Sequence, residues 1–131
     1  MPAPAHLLQP FMDVVYLIYG AAFMALGLMI SVRQNNRSEL ALSPLLWLLA
    51  GFGFTHGTQE WLDMWRHLHG ANPLVDLLRP LTQTLSYILL YEFGRRLLRH
   101  CLPERSLGHR LLGPAAYTPA IVASILLPWL A

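Results

Sequence analysis

The chain has 131 residues, of which 55% are hydrophobic and 12% charged, and all nine of its basic side chains are arginine, for a net charge of +2. Soluble domains carry about a quarter charged residues, so this composition disfavours a soluble globular domain and excludes a disordered chain. The charge is too small, and its arginines too scattered, for a nucleic-acid partner to be expected. The remaining class is an integral membrane protein, with the lipid bilayer as its partner.

Four windows are apolar enough, and long enough, to cross a hydrocarbon layer, which takes about 20 helical residues. The links between them are short, which predicts antiparallel neighbours in one membrane domain over residues 1–131. The last window runs directly into the end of the sequence, which suggests the N-terminal part of a larger bundle. The fold prediction is an all-α integral membrane protein of four antiparallel transmembrane helices, at residues 11–32, 45–65, 77–93 and 111–130.

Arginine counting predicts the orientation of these helices. Loops rich in arginine stay on the cytoplasmic side of a membrane. Only Arg66 and Arg79 belong to the opposite side, so the N-terminus is expected outside and Cys101 in the reducing cytoplasm as a free thiol. The other seven fall in the first and third links, namely Arg33, Arg37, Arg95, Arg96, Arg99, Arg105 and Arg110.

The second window carries ionisable residues on one helical face, because His56, Glu60 and Asp63 follow an i, i+4, i+7 spacing. Each such group costs about 2.5–3.5 kcal/mol in hydrocarbon, so it should face protein or trapped water. Counting 1.5 Å per residue brings polar residues of the first and third windows to the same depth. We therefore predict a polar pocket in the outer half of the membrane that binds a ligand or other cue, formed by His56, Glu60, Asp63, Gln83, Ser86, Tyr87, Tyr16 and Tyr19.

Two alternatives remain open for this face. His56 and Glu60 offer one nitrogen and one oxygen ligand, so haem or a transition metal is an alternative cofactor and the chain an alternative redox subunit. The polar side chains are otherwise only contacts between helices, in a structural accessory subunit. Gly53 and Gly57 form a small-xxx-small pair that predicts close helix packing. No catalytic residue is predicted, because no nucleophile-elbow pattern surrounds Ser86.

A family resemblance rests on the stretch Leu49–Met64, which contains His56-Gly-Thr-Gln-Glu60-Trp61, after a first window reading Tyr16–Gly27. From about residue 11 to 99 the chain resembles the N-terminal multi-span sensory regions of bacterial sensor histidine kinases and diguanylate cyclases. The resemblance implies a membrane-embedded sensory, signal-transducing input module, as in two-component systems, in the bacterial inner membrane. It further implies a homodimer or larger membrane complex. The sequence contains no kinase or cyclase domain, so no enzymatic activity is expected of this chain alone.

Overall fold

The structure, a computed structural model, describes residues 5–36 and 43–103, with the isolated positions 113, 122 and 126. Over these ranges the chain is all-helical. The helices are α1 (Ala5–Asn36), α2 (Ser43–His69) and α3 (Pro73–Cys101). At 1.5 Å per residue their lengths are about 40–48 Å. Helix α2 packs against both of the others and is the centre of the arrangement.

The prediction of four transmembrane helices is wrong. The described residues form three helices, and only the segment Phe11–Arg33 of α1 is long and apolar enough to cross a membrane by length and composition. Helices α2 and α3 reach the required length, but histidines, carboxylates and arginines lower their hydropathy. Window counting gave too little weight to these side chains. The fourth predicted window, 111–130, lies outside the described ranges apart from isolated positions. The all-α prediction agrees with the three helices.

All three helices extend beyond the predicted windows. The sequence explains where α2 ends and α3 begins. Gly70 has a φ of +83°, which favours glycine, and its N–H donates to the Arg66 carbonyl at 2.8 Å, ending α2. The Asn72 side chain then accepts from the Leu74 N–H at 3.0 Å, with Pro73 in the first turn of α3. Helices α2 and α3 therefore form an antiparallel hairpin around three residues. We call this end of the molecule the hairpin end.

Glycines bring α1 and α2 into backbone contact. A Cβ on Gly53 would lie 2.8 Å from the Phe23 carbonyl oxygen, and a Cβ on Gly57 would lie 2.8 Å from that of Gly20. A Cβ on Gly20 would overlap the Trp61 indole. Real Cβ atoms do not approach so closely. At Gly53 and Gly57 the obstacle is backbone, so these two positions accept only hydrogen. The two helices run antiparallel along the predicted span of α1.

The described helices have a partly polar interior and many large apolar side chains on their surface. The buried apolar residues are Leu45, Leu48, Ala50, Phe52 and Val75. The buried polar or charged residues are Ser86, Gln59, Glu92 and Arg95, with Ser86 wholly inaccessible. Large apolar side chains instead face outward on all three helices, for example Met29 at 65% and Leu74 at 64% exposure. Soluble proteins rarely expose apolar surface on this scale, whereas an apolar solvent favours it.

Candidate functional site

His56 lies at the middle of α2 and links it to α3. Its Nδ1 is 3.4 Å from Ser86 Oγ. The Ser86 hydroxyl donates to the Gln83 carbonyl at 2.8 Å, which is the nearer acceptor, so its oxygen is left to accept from the imidazole. With the Ser86 proton on the Gln83 carbonyl, the His56 tautomer that satisfies this contact carries its proton on Nδ1 and leaves Nε2 facing Glu60.

Glu60 lies on the other side of the imidazole, one turn along α2. Its Oε1 is 3.6 Å from His56 Nε2, and about a sixth of each side chain is exposed. We call His56, Glu60 and Ser86 the polar layer. Carboxylate, imidazole and hydroxyl follow one another as in a hydrolase triad, but Ser86 is fully buried and already donates its proton. Because no substrate reaches Ser86 Oγ, the arrangement is not that of a nucleophilic serine.

Aromatic rings hold the His56 imidazole from two sides. Phe23 of α1 meets it edge-on, with centroids 4.5 Å apart, and Phe52 of α2 stacks on it at 5.2 Å. Phe23 and Phe52 also meet each other edge-on at 5.7 Å. The imidazole is thus positioned by contacts with all three helices.

Asp63, one turn from Glu60 toward the hairpin end, has very different surroundings. Its carboxylate accepts from Arg79 Nε of α3 and from Gln59 Nε2 at 2.7 Å. A guanidinium is a charged donor that suits a carboxylate, so Asp63 and Arg79 form an ion pair between α2 and α3. Glu60 lies beside it without an arginine at ion-pair distance among the described residues.

Further ionisable groups gather toward the hairpin end. His67 Nε2 is 3.6 Å from Asp13 Oδ1 of α1, and the Tyr16 ring is 6.4 Å from the imidazole. Tyr16 therefore lies beside His67 rather than in the polar layer. Tyr19 is 56% exposed and faces away from α2, because the contact face of α1 runs through positions 13, 16, 20, 23 and 27.

The remaining predicted site residues lie on α3 or on the face of α2 toward α1. Gln83 Nε2 donates to the Tyr87 hydroxyl at 3.4 Å, so these two contact each other one turn apart beside Ser86. Gly53 and Gly57 form the contact with α1 described above. The structure thus brings together His56, Glu60 and Ser86, and places Asp63 with Arg79, Gln83 with Tyr87, and Tyr16 with His67.

The metal hypothesis requires a third ligand. His56 Nε2 and Glu60 Oε1 point toward each other, but the described residues contain no group of three or more histidine, cysteine, aspartate or glutamate side chains that could hold a metal ion. The histidine that lies toward the opposite end of α3, His100, is more than three helical turns from the level of Ser86. The described chain therefore supplies two ligands to such a site.

Arg79 and Gln59 were not among the predicted site residues. The third window was predicted to begin at residue 77, which puts Arg79 and Pro80 at its edge, but α3 begins at Pro73 and both lie inside the helix. The contact could have been predicted from the antiparallel register of α2 and α3, because the register that pairs Ser86 with His56 also pairs Arg79 with Asp63.

Comparisons of this chain with protein-family models, with characterised proteins and with solved structures find no match. The site must therefore be interpreted from its own chemistry.

Proposed function

We propose that this chain is a membrane-embedded, signal-transducing input module, in which a cue acting at the polar layer changes the packing of α3 against α2. The observation that carries the proposal is the exposed apolar surface on all three helices, beside a partly polar interior. An apolar surface on every helix suits contact with lipid acyl chains, while the buried polar groups suit a protein interior without a large apolar core. Helix α2 packs antiparallel along the span of α1, which would bring it to the same layer of lipid.

The coupling part of the proposal rests on the contacts of His56. One imidazole touches α1 through Phe23, α2 through Phe52, and α3 through Ser86. A change in its protonation or ligation therefore alters contacts with both neighbours at once. For a cue to signal, it must bind one packing state more tightly than the other. The C-terminal part of α3 would carry that change about 22 Å along the helix, from Ser86 to Cys101.

Membrane embedding is tested by expressing the chain and washing the membranes with alkaline carbonate. The expected result is that the protein stays in the pellet and is labelled on α3 by a hydrophobic photoreactive probe dissolved in the bilayer. Release into the supernatant would contradict embedding.

The coupling is tested with a reporter that the chain supplies, because Cys101 is its single cysteine and is exposed. A spin label on Cys101 reports the mobility of the end of α3 in lipid nanodiscs. We expect His56→Ala to change that mobility, whereas Leu81→Ala, an outward-facing change on α3 itself, leaves it unaltered. Equal spectra for the wild type and His56→Ala, with helix content preserved, would refute coupling and favour the structural alternative. A Soret band lost in His56→Ala would favour the redox alternative.

A further inference from the structure

The hydrogen-bond donors and acceptors of the polar layer determine how many protons it holds. Ser86 directs the His56 proton to Nδ1, so neutral His56 turns a lone pair at Nε2 toward Glu60 Oε1, 3.6 Å away. An ionised Glu60 would place a negative oxygen opposite that lone pair. Two acceptors facing each other repel, and a single proton on either atom converts the repulsion into attraction.

The charged groups near His56 and Glu60 do not relieve the repulsion between Nε2 and Oε1. On α2, Asp63 adds negative charge near Glu60, but it is paired with Arg79 of α3. On α1, the group that contacts the imidazole is the uncharged Phe23, and Asp13 and Tyr16 lie by His67 toward the hairpin end. On α3, Tyr87 accepts a hydrogen bond from Gln83.

Toward the C-terminus of α3, Arg95 and Arg96 are paired with Glu92, and Arg99 and His100 lie still farther from Ser86. Arg95 donates to the Glu92 carboxylate through Nε and Nη2, at 2.8 Å each, and Arg96 donates to the same carboxylate. Glu92 lies nearly two turns beyond Ser86 along the helix, and the two arginines lie farther. Removing the repulsion between His56 Nε2 and Glu60 Oε1 therefore depends on a proton taken from solution.

We infer that His56 and Glu60 form a proton-binding site, which holds one proton between His56 Nε2 and Glu60 Oε1 on an imidazole oriented by Ser86. This inference rests on the proposed function and names its cue, since the ligand of the polar layer is a proton. Gain of the proton draws the carboxyl and imidazole together toward hydrogen-bond length. Its loss drives them apart, and because Phe23, Phe52 and Ser86 hold the imidazole, the change reaches the contact between α2 and α3.

The chain offers an isosteric variant that separates binding from packing. Glu60→Gln places an amide N–H opposite Nε2, which imitates the protonated carboxyl and cannot titrate. Asp63→Asn is the matched control, because it changes a carboxylate one turn away that already has a guanidinium partner.

The direct test is infrared difference spectroscopy of the chain in nanodiscs during a pH titration. We expect a protonated-carboxyl band that disappears on alkalinisation, is lost in Glu60→Gln and is retained in Asp63→Asn. Nitrogen-15 spectra of labelled histidine should show the Nδ1–H tautomer for the signal that His56→Gln removes, and Ser86→Ala should shift that signal toward the other tautomer. A titrating band that survives in Glu60→Gln, the absence of such a band in the wild type, or an Nε2–H tautomer would overturn the inference.

These spectra are independent of the Cys101 spin label, so the proton site and the coupling to α3 can be refuted separately. A titrating Glu60 with an unresponsive label leaves a proton site without signalling. A label that responds to His56→Ala, but not to pH, leaves coupling and refutes the proton as its cue.

Discussion

Helix α2 meets α1 at glycines, beside contacts of Phe23 with His56 and of Asp13 with His67. It meets α3 through histidine and aspartate side chains. On the α1 side, backbone touches backbone at Gly53 and Gly57, and no rotamer change can alter the spacing. On the α3 side, His56 meets Ser86 and Asp63 meets Arg79 through flexible side chains. Such contacts change with a proton or a torsion angle while the helices stay folded. The contrast identifies α1 and α2 as the fixed pair and α3 as the helix able to respond.

The largest expected effect is that of Gly53→Leu, which would break the fixed pair. Its Cβ would lie 2.8 Å from the Phe23 carbonyl oxygen, and backbone cannot rotate away. We expect a loss of more than about 3 kcal/mol in the free energy of unfolding, measured by detergent denaturation followed by circular dichroism.

Gly94→Ala is its control, since nothing lies within 4 Å of a Cβ at this position inside α3. Alanine is the better helix former, so we expect a gain of about 0.5–1 kcal/mol. Similar losses in both variants would show that helix propensity, rather than close packing, explains the first result.

Arg79→Ala should have the next largest effect, on the responsive interface. It leaves Asp63 with Gln59 as its described partner and removes a charge-assisted hydrogen bond. We expect a loss of about 1.5–3 kcal/mol, near the lower end because Arg79 is partly exposed. In a double-mutant cycle with Asp63→Asn, the two effects should be strongly non-additive. Additive losses would mean that the ion pair contributes nothing measurable.

His56→Phe is expected to have a smaller effect and sharpens the comparison further. Phenylalanine keeps the ring contacts with Phe23 and Phe52 but cannot bond to Ser86. We expect a loss of about 0.5–1.5 kcal/mol, together with loss of any pH response at Cys101. A retained pH response would assign the titration to another group.

Leu81→Ala should have the smallest effect, because the side chain is 53% exposed and faces the bilayer in our proposal. A change below about 0.5 kcal/mol is expected in lipid. Leu48→Ala is the matched comparison, since Leu48 is only 3% exposed and its loss should cost about 2–5 kcal/mol. Equal losses would indicate that Leu81 is covered by a protein partner.

Local spacing in the sequence predicted much of the site but little of its pairing. The i, i+4 relation of His56 and Glu60 follows from helix geometry, and depth counting placed Ser86 at the level of His56, where the structure has them 3.4 Å apart. Tyr19 was included because depth says nothing about the direction a side chain faces, and it lies on the exposed side of α1.

The number of spans could not be predicted by counting apolar residues. The windows of α2 and α3 are long enough, but their histidines, carboxylates and arginines lower their hydropathy below that of the α1 span, and a count of apolar residues does not weigh these side chains. The contact between Asp63 and Arg79 depends on where α3 begins, which Asn72 and Pro73 determine seven residues before Pro80. That boundary was misjudged, so the ion pair was missed.

The Trp61 indole lies where a Cβ at position 20 would be, which has a consequence for sequence variation. The indole occupies the space that a side chain at position 20 would need, so one position is filled at the expense of the other. In related chains these two positions should therefore change together. A larger residue at position 20 should occur with a small one at 61, and tryptophan at 61 should occur with glycine at 20.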